Sequence, residues 1–96
     1  MIRHICMFKL KEENREENLK EALVRVQSLK ELKQIRNFQV VTNAPDAPES
    51  NYELSLIFDF DSIEDLNEYQ KHPKHLEFGE FITRVREQRA CIDYVI

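Results

Sequence analysis

From Tyr52 to Phe60 the chain alternates with a period of two. Tyr52, Leu54, Leu56, Phe58 and Phe60 take one set of positions, and Glu53, Ser55, Ile57 and Asp59 take the other. Successive side chains of a strand point to opposite faces, so this pattern specifies a strand with one face in a core. Between Asn14 and Leu32 the period changes to that of a helix. Leu19, Ala22, Leu23, Val26 and Leu29 form one apolar stripe. The outer face carries Glu16 with Lys20 and Glu21 with Arg25, each acid four residues before its base. A sheet that needs a cover and a helix that needs a floor therefore occur in one short chain.

The remaining elements fall around these two. Residues 2 to 10 read as a first strand, with His4, Cys6, Phe8 and Leu10 pointing one way and Ile5 and Met7 the other. Residues 35 to 42 read as a second strand, in which Phe38 and Val40 alternate with Asn37 and Gln39. The loop at 43 to 51 holds two of the three prolines, and it joins the second and third strands as a hairpin. In "DSIEDL", Ser62 and Asp65 match a capping box, and Ile63, Leu66 and Tyr69 share the apolar face of the helix that follows. Pro73 ends that helix by pushing His72 toward extended geometry, and it suits the first position of a new helix running to about Gln88. "ACIDYVI" reads as a short closing strand.

The order β-α-β-β-α(α)-β predicts an α+β, ferredoxin-like subunit, a four-stranded antiparallel sheet with helices on one face. Ninety-six residues make a single domain over 1–96. The helices cover only one face of such a sheet. Ile5, Met7, Ile57 and one side of the last strand leave the other face apolar, which predicts a homodimer closing through the open sheet face.

Composition removes several function classes. A net charge of −4 and the lack of any lysine/arginine cluster with interleaved aromatics argue against a nucleic-acid partner. The apolar runs are too short to span a membrane, and "MIRHICMFKL" lacks the sustained apolar region of a signal peptide, so a cytoplasmic location is expected. Cys6 and Cys91 form no CxxC-type motif and are expected as buried, reduced thiols. In this topology, though, the first and last strands are neighbours, and the two thiols could lie close.

The candidate site is the stretch "EYQKHPKHLEFGEF", residues 68 to 81, which holds two of the three histidines and the only glycine. On a helix beginning at Pro73, His75, Phe78, Ile82 and Val85 share one side, with Gly79 on it as well. His75 therefore points inward, as does Tyr69 from the helix before. A glycine within a helix costs about 1 kcal/mol relative to alanine. It signals either close packing against the sheet or a void kept beside His75. His4, on the strand face of Cys6 and Phe8, joins the group if that face looks toward the helices. It is then either a core histidine bonded to a carbonyl or to Tyr69, or the lining of a pocket. His72 and His75 form H-x-x-H with Glu77 and Glu80 nearby, but His72 lies off the face of His75 and no metal is expected.

"RHICMFKLK", "FDSIEDLNEYQKHPKH" and the closing "CIDYVI" together resemble the stress-responsive dimeric α/β-barrel (Dabb) family over almost the whole chain. The unit Y-x-x-H-P-x-H is the most specific part. The resemblance implies a ferredoxin-like homodimer whose two sheets close into a barrel. It also implies chemistry, because the family includes a plant polyketide cyclase that performs an aldol condensation with a His and a Tyr. By motif those two correspond to His75 and Tyr69, the early strand His to His4, and a Phe-Gly pair to Phe78 and Gly79.

Two functions follow. The first is a small-molecule enzyme of cyclase, isomerase or cofactorless oxygenase type, needing no cofactor and taking a small apolar or polyketide-like ligand in an internal pocket. His75 is its general base, Tyr69 donates to the developing oxyanion, and His4, Cys6, Phe8, Leu23, Phe78 and Gly79 contact the substrate. The second is a non-catalytic, stress-related or ligand-binding homodimer in which His75 and Tyr69 tie the helix corner to the sheet.

Overall fold

A computed structural model describes all residues, 1–96, as four strands and three helices. The strands are β1 (Ile2–Leu10), β2 (Phe38–Thr42), β3 (Leu54–Phe60) and β4 (Arg86–Val95). The helices are α1 (Arg15–Val26), α2 (Ile63–Lys71) and α3 (Pro73–Val85), and a 3-10 turn at Gln27–Glu31 extends α1. The sheet order is β2-β3-β1-β4, antiparallel throughout, which is the ferredoxin-like arrangement expected from the pattern. No helix is long and apolar enough to cross a membrane.

Register sorts the side chains into two faces. His4 lies opposite Phe58, Cys6 opposite Leu56 and Phe8 opposite Leu54, so these residues share the face that the helices cover. Burial there is nearly complete: Phe58, Phe60 and Leu10 are fully enclosed, together with Ala22, Val26 and Leu29 from α1 and the turn after it. Phe38 stacks on Phe58 at 4.7 Å between ring centroids and closes the β2 end of this core. The open face carries a different set. Arg3 makes a two-pronged bond to Asp59 (2.8 and 3.0 Å), which also accepts from Asn37 at 2.7 Å. Lys9 pairs with Glu53 at 2.7 Å. Between these polar clusters lie Ile5, Ile57 and Ile92, with Met7 and Val41 more than a third exposed.

Local signals explain most element ends. The Ser62 hydroxyl accepts from the Asp65 N–H at 3.1 Å and opens α2. His72 ends α2 in extended geometry (φ −64°, ψ 137°) before Pro73, and its own Nδ1 accepts from the Lys74 N–H at 3.1 Å. His72 is thus the cap of α3 and is removed from any shared site with His75. Of the two ion pairs expected on α1, Glu21–Arg25 forms at 2.9 Å.

Several expectations change. The first helix stops at Val26 and tightens into the 3-10 turn rather than running to Leu32, and β2 begins at Phe38 rather than 35. The residues between are held as a connection, with the Ile35 N–H bonded to the Leu32 carbonyl and the Arg36 N–H to the Asp59 carbonyl. The last strand starts at Arg86 and takes the final turn assigned to α3, because β1 offers its whole length for pairing, from Ile2↔Val95 to Leu10↔Arg86. Ile63 is half exposed. Six residues separate it from Tyr69, about 120° around the helix, so it leaves the stripe that Leu66 and Tyr69 define.

The cysteines are the clearest correction. They were expected as buried reduced thiols, but Cys6 and Cys91 are joined as a disulfide and Cys91 is exposed. They are directly opposed in the β1–β4 register, with Cα atoms 4.2 Å apart. Side chains at opposed positions of this close kind are within bonding reach. The edge strand β4 receives no helix over that part of its face, which leaves Cys91 in solvent.

Candidate functional site

Tyr69 is the hub. It faces down from α2 with 1% of its surface exposed, packed against Phe60 (5.1 Å between ring centroids) and Phe58 (5.9 Å). Two imidazoles complete its surroundings, His75 at 4.6 Å and His4 at 6.2 Å. The break at His72–Pro73 produces this meeting, since it redirects the chain so that the third residue of the new helix, His75, faces back onto the end of α2. Tyr69 and His75 both turn inward, and His4 joins them because its strand face is the one the helices cover.

Each imidazole has one nitrogen fixed. His75 Nδ1 lies 2.9 Å from the carbonyl oxygen of Gln70. A carbonyl only accepts, so Nδ1 carries the proton and Nε2 is the basic nitrogen of the neutral ring. Burial lowers the affinity of His75 for a second proton below that of an ordinary histidine. The neighbouring imidazole of His4 and the guanidinium of Arg89 act electrostatically in the same sense, and the Gln70 bond opposes them. His4, buried to 4% exposure, directs its Nδ1 to the carboxylate of Asp93 on β4. That partner comes from the register His4↔Asp93. The Tyr69 hydroxyl makes no hydrogen bond within the chain and is not among the fully enclosed polar atoms without partners. Burial alone raises its pKa, which keeps it a neutral donor at any physiological pH.

These groups line a cleft of about 650 Å³ between α3 and the β1–β4 edge of the sheet. His4, Cys6 and Phe8 form its floor, with Leu56 beside them, and Phe78, Gly79 and Ile82 form the α3 wall. Phe8 meets Phe78 edge-on at 6.5 Å across it. Nothing lies within 4 Å of where a Cβ on Gly79 would stand. Of the two roles open to that glycine, close packing is therefore excluded, and free space next to His75 remains. Leu23 is not in the lining; it packs against the core from α1, a helix that leans on α3 and contributes nothing to the cleft. The internal pocket expected from the pattern is an open cleft, since β4 has no helix over it.

Three features escaped the sequence pattern. Asp93 and the cleft arginines Arg84, Arg86 and Arg89 belong to β4 or to the approach to it, and only the pairing of β4 with β1 along its length brings them to the site. The third is a donor cluster. His4, Cys6 and Cys91 place their ligand atoms within 4.8 Å of one another, the one group of this kind in the fold. In the disulfide form both sulfurs are bonded to each other, so a metal would need the pair reduced first.

No curated protein matches the chain. A dimeric ferredoxin-like protein of unknown function from Bacteroides fragilis is 26% identical, covering 99% of this chain and 95% of its own, with a TM-score of 0.82. A Dabb-family protein from Mesorhizobium loti is 25% identical over 99% and 95% of the two chains, with the same TM-score of 0.82. The hydroxynitrile lyase of Passiflora edulis shares the fold at 18% identity, over 99% and 92% of the chains, with a TM-score of 0.83. The model of the stress-responsive A/B barrel domain matches residues 2–96, and the chain belongs to that family, Dabb.

Proposed function

We propose that the chain is a single-domain enzyme acting on small carbonyl compounds by removing a proton from the carbon beside the carbonyl. One observation carries this reading: a neutral histidine, proton fixed on Nδ1 by Gln70, stands beside an unengaged tyrosine hydroxyl at the wall of an open cleft. In the step, the C–H bond breaks, its electron pair moves into the enolate, and the proton goes to Nε2 of His75. Tyr69 donates to the enolate oxygen, which gains charge as the bond breaks. Cyclases, isomerases and cofactorless oxygenases all begin in this way, so the site supports the shared step more than any one of the three. His4, Cys6, Phe8, Phe78 and Gly79 contact the substrate; Leu23, packed away from the cleft, is left out.

The test is deuterium uptake from D2O into 1-phenylpropan-2-one, followed by NMR. Wild type accelerates uptake, and His75→Gln and Tyr69→Phe lower the acceleration by about 10² or more. Equal uptake with wild type and His75→Gln would end the catalytic reading. The non-catalytic alternative rests on the same Gln70 bond, which also ties the helix corner together. It predicts instead that His75→Gln lowers the melting temperature sharply.

We also propose a homodimer built through the open sheet face, with Ile5, Ile57 and Ile92 at its centre. The Bacteroides fragilis relative is dimeric, and an apolar strip between ion pairs suits a self-complementary contact. Sedimentation of wild type as a dimer at micromolar concentration and of Ile92→Lys as a monomer checks it.

A further inference from the structure

The chain is acidic overall, with a net charge of −4, yet three arginines and a single glutamate line the cleft. Arg84 is partly neutralised, 3.6 Å from Glu80. Arg86 and Arg89 have no ion-pair partner, although Arg86 is half buried. Guanidinium groups without a carboxylate, facing an apolar cleft, are suited to a planar oxyanion, which they hold with paired N–H donors.

The register says where that oxyanion would sit. Along β1, His4 lies opposite Asp93, Phe8 opposite Arg89 and Leu10 opposite Arg86. The arginine rows are thus displaced from the His4 row by four to six residues, about 13 to 20 Å of strand before side-chain reach is counted. Along α3 the order is the same, with His75 at the start and Arg86 at the end. The cleft therefore has a reacting end at Tyr69 and His75, an apolar stretch at Phe8 and Phe78 flanked on β4 by Arg89, and Arg86 one step beyond it. Arg89 still reaches His75 electrostatically, since its charge contributes to holding His75 neutral.

We propose that the cleft takes a small carbonyl compound bearing a carboxylate, with the carboxylate held by Arg89 and Arg86 and the carbonyl end at Tyr69 and His75. The proposal rests on the cleft being the ligand site. A monoanion fits this arrangement better than a phosphate dianion, whose larger charge would outweigh Arg89 and favour protonation of the base.

Binding tests this without asking for catalysis, so it fails or holds separately from the proton-transfer reading. Calorimetric titration at low salt would compare 4-acetylbenzoate, the neutral 4-acetylbenzamide and 4-acetylphenyl phosphate. Wild type is expected to bind the carboxylate about tenfold or more tightly than the amide. Arg89→Gln, and more fully Arg86→Gln with Arg89→Gln, should abolish that preference. Lys20→Gln, which removes the same charge from the outer face of α1, should preserve it. Equal binding of carboxylate and amide, or no binding of either, overturns the proposal. So does an equal loss in Lys20→Gln, or tighter binding of the phosphate.

Discussion

Strand β1 has two neighbours, and they have opposite fates on the helix-facing side. On β3 that face is Leu54, Leu56, Phe58 and Phe60, each at most 3% exposed. On β4 it is Arg89, Cys91, Asp93 and Val95, every one of them exposed. The helices, together with Phe38 of β2, seal the first side and stop short of the second. Stability and chemistry are thereby divided across one central strand. Phe58 and Phe60 hold Tyr69 from the sealed side, while its hydroxyl and the two imidazoles meet a cleft on the open side.

The largest effect is expected on the sealed side. Phe58→Ala removes a fully enclosed ring that stacks on Phe38 and abuts Tyr69. It should cost about 3–5 kcal/mol, read as a lower urea midpoint with unchanged slope. Arg89→Ala, on the open side of the same sheet, should change stability by less than about 0.5 kcal/mol. Comparable losses at the two positions would break the division.

Between these lies the side-chain hydrogen bond that joins Asp93 of β4 to buried His4, two rows along from the Cys6–Cys91 disulfide. Asp93→Leu leaves the Nδ1–H of His4 buried without its acceptor. The expected cost is about 1–3 kcal/mol by urea titration, well above that of Arg89→Ala. His4→Phe in the same background should recover part of it, because the orphaned donor is then absent. No recovery would mean that Asp93 acts on β4 alone.

Acid sharpens the comparison at His75. Its folded pKa lies below the ordinary 6.5, chiefly because it is buried, and His4 and Arg89 face it while Tyr69 stays neutral. The unfolded chain therefore binds this proton first as pH falls. Stability from this group is complete above about 6.5 and declines as pH drops toward the folded value. Deuterium uptake should stay level from pH 8 to 6.5 and fall only below that. His75→Gln should remove the stability loss that begins near 6.5. Asp59, held below the usual carboxylate range chiefly by its Arg3 bond, would contribute its own loss only under 3.8. A rate that already falls between pH 8 and 7 would contradict a depressed base.

How much of this was legible depended on which side of β1 a residue occupied. The alternation in Tyr52–Phe60 and the stripe at Leu19–Leu29 gave the sealed side directly, because burial imposes a period. The inward turn of His75 also followed from Pro73, whose ring fixes where the helix restarts. The open side imposes no such period. "ACIDYVI" reads as a short strand beside β1, which already brings Cys91 near Cys6, but "REQR" before it reads as the end of a helix. Only the pairing of the whole of β4, from Arg86 on, with β1 carries the arginines to the cleft and sets Asp93 opposite His4. Leu23 misled for the converse reason, since a helical stripe says that a residue is buried but not against what.

A stabilising change separates the two sides most finely. Gly79 lies in α3 with nothing near its missing Cβ, so alanine there meets no clash and improves helix propensity. Gly79→Ala should raise stability by about 0.5–1 kcal/mol, seen as a higher melting temperature. The added methyl projects into the space next to His75 and narrows the cleft without touching His75, Tyr69 or the arginines. Binding of 4-acetylbenzoate should therefore weaken severalfold in a protein that is more stable than wild type. A core position cannot behave this way, since filling it would cost stability, and a solvent-facing position would leave binding unchanged. Gain in one measurement with loss in the other is what a glycine kept for a ligand predicts. If both stay flat, the space beside His75 belongs to solvent and the cleft ends short of it.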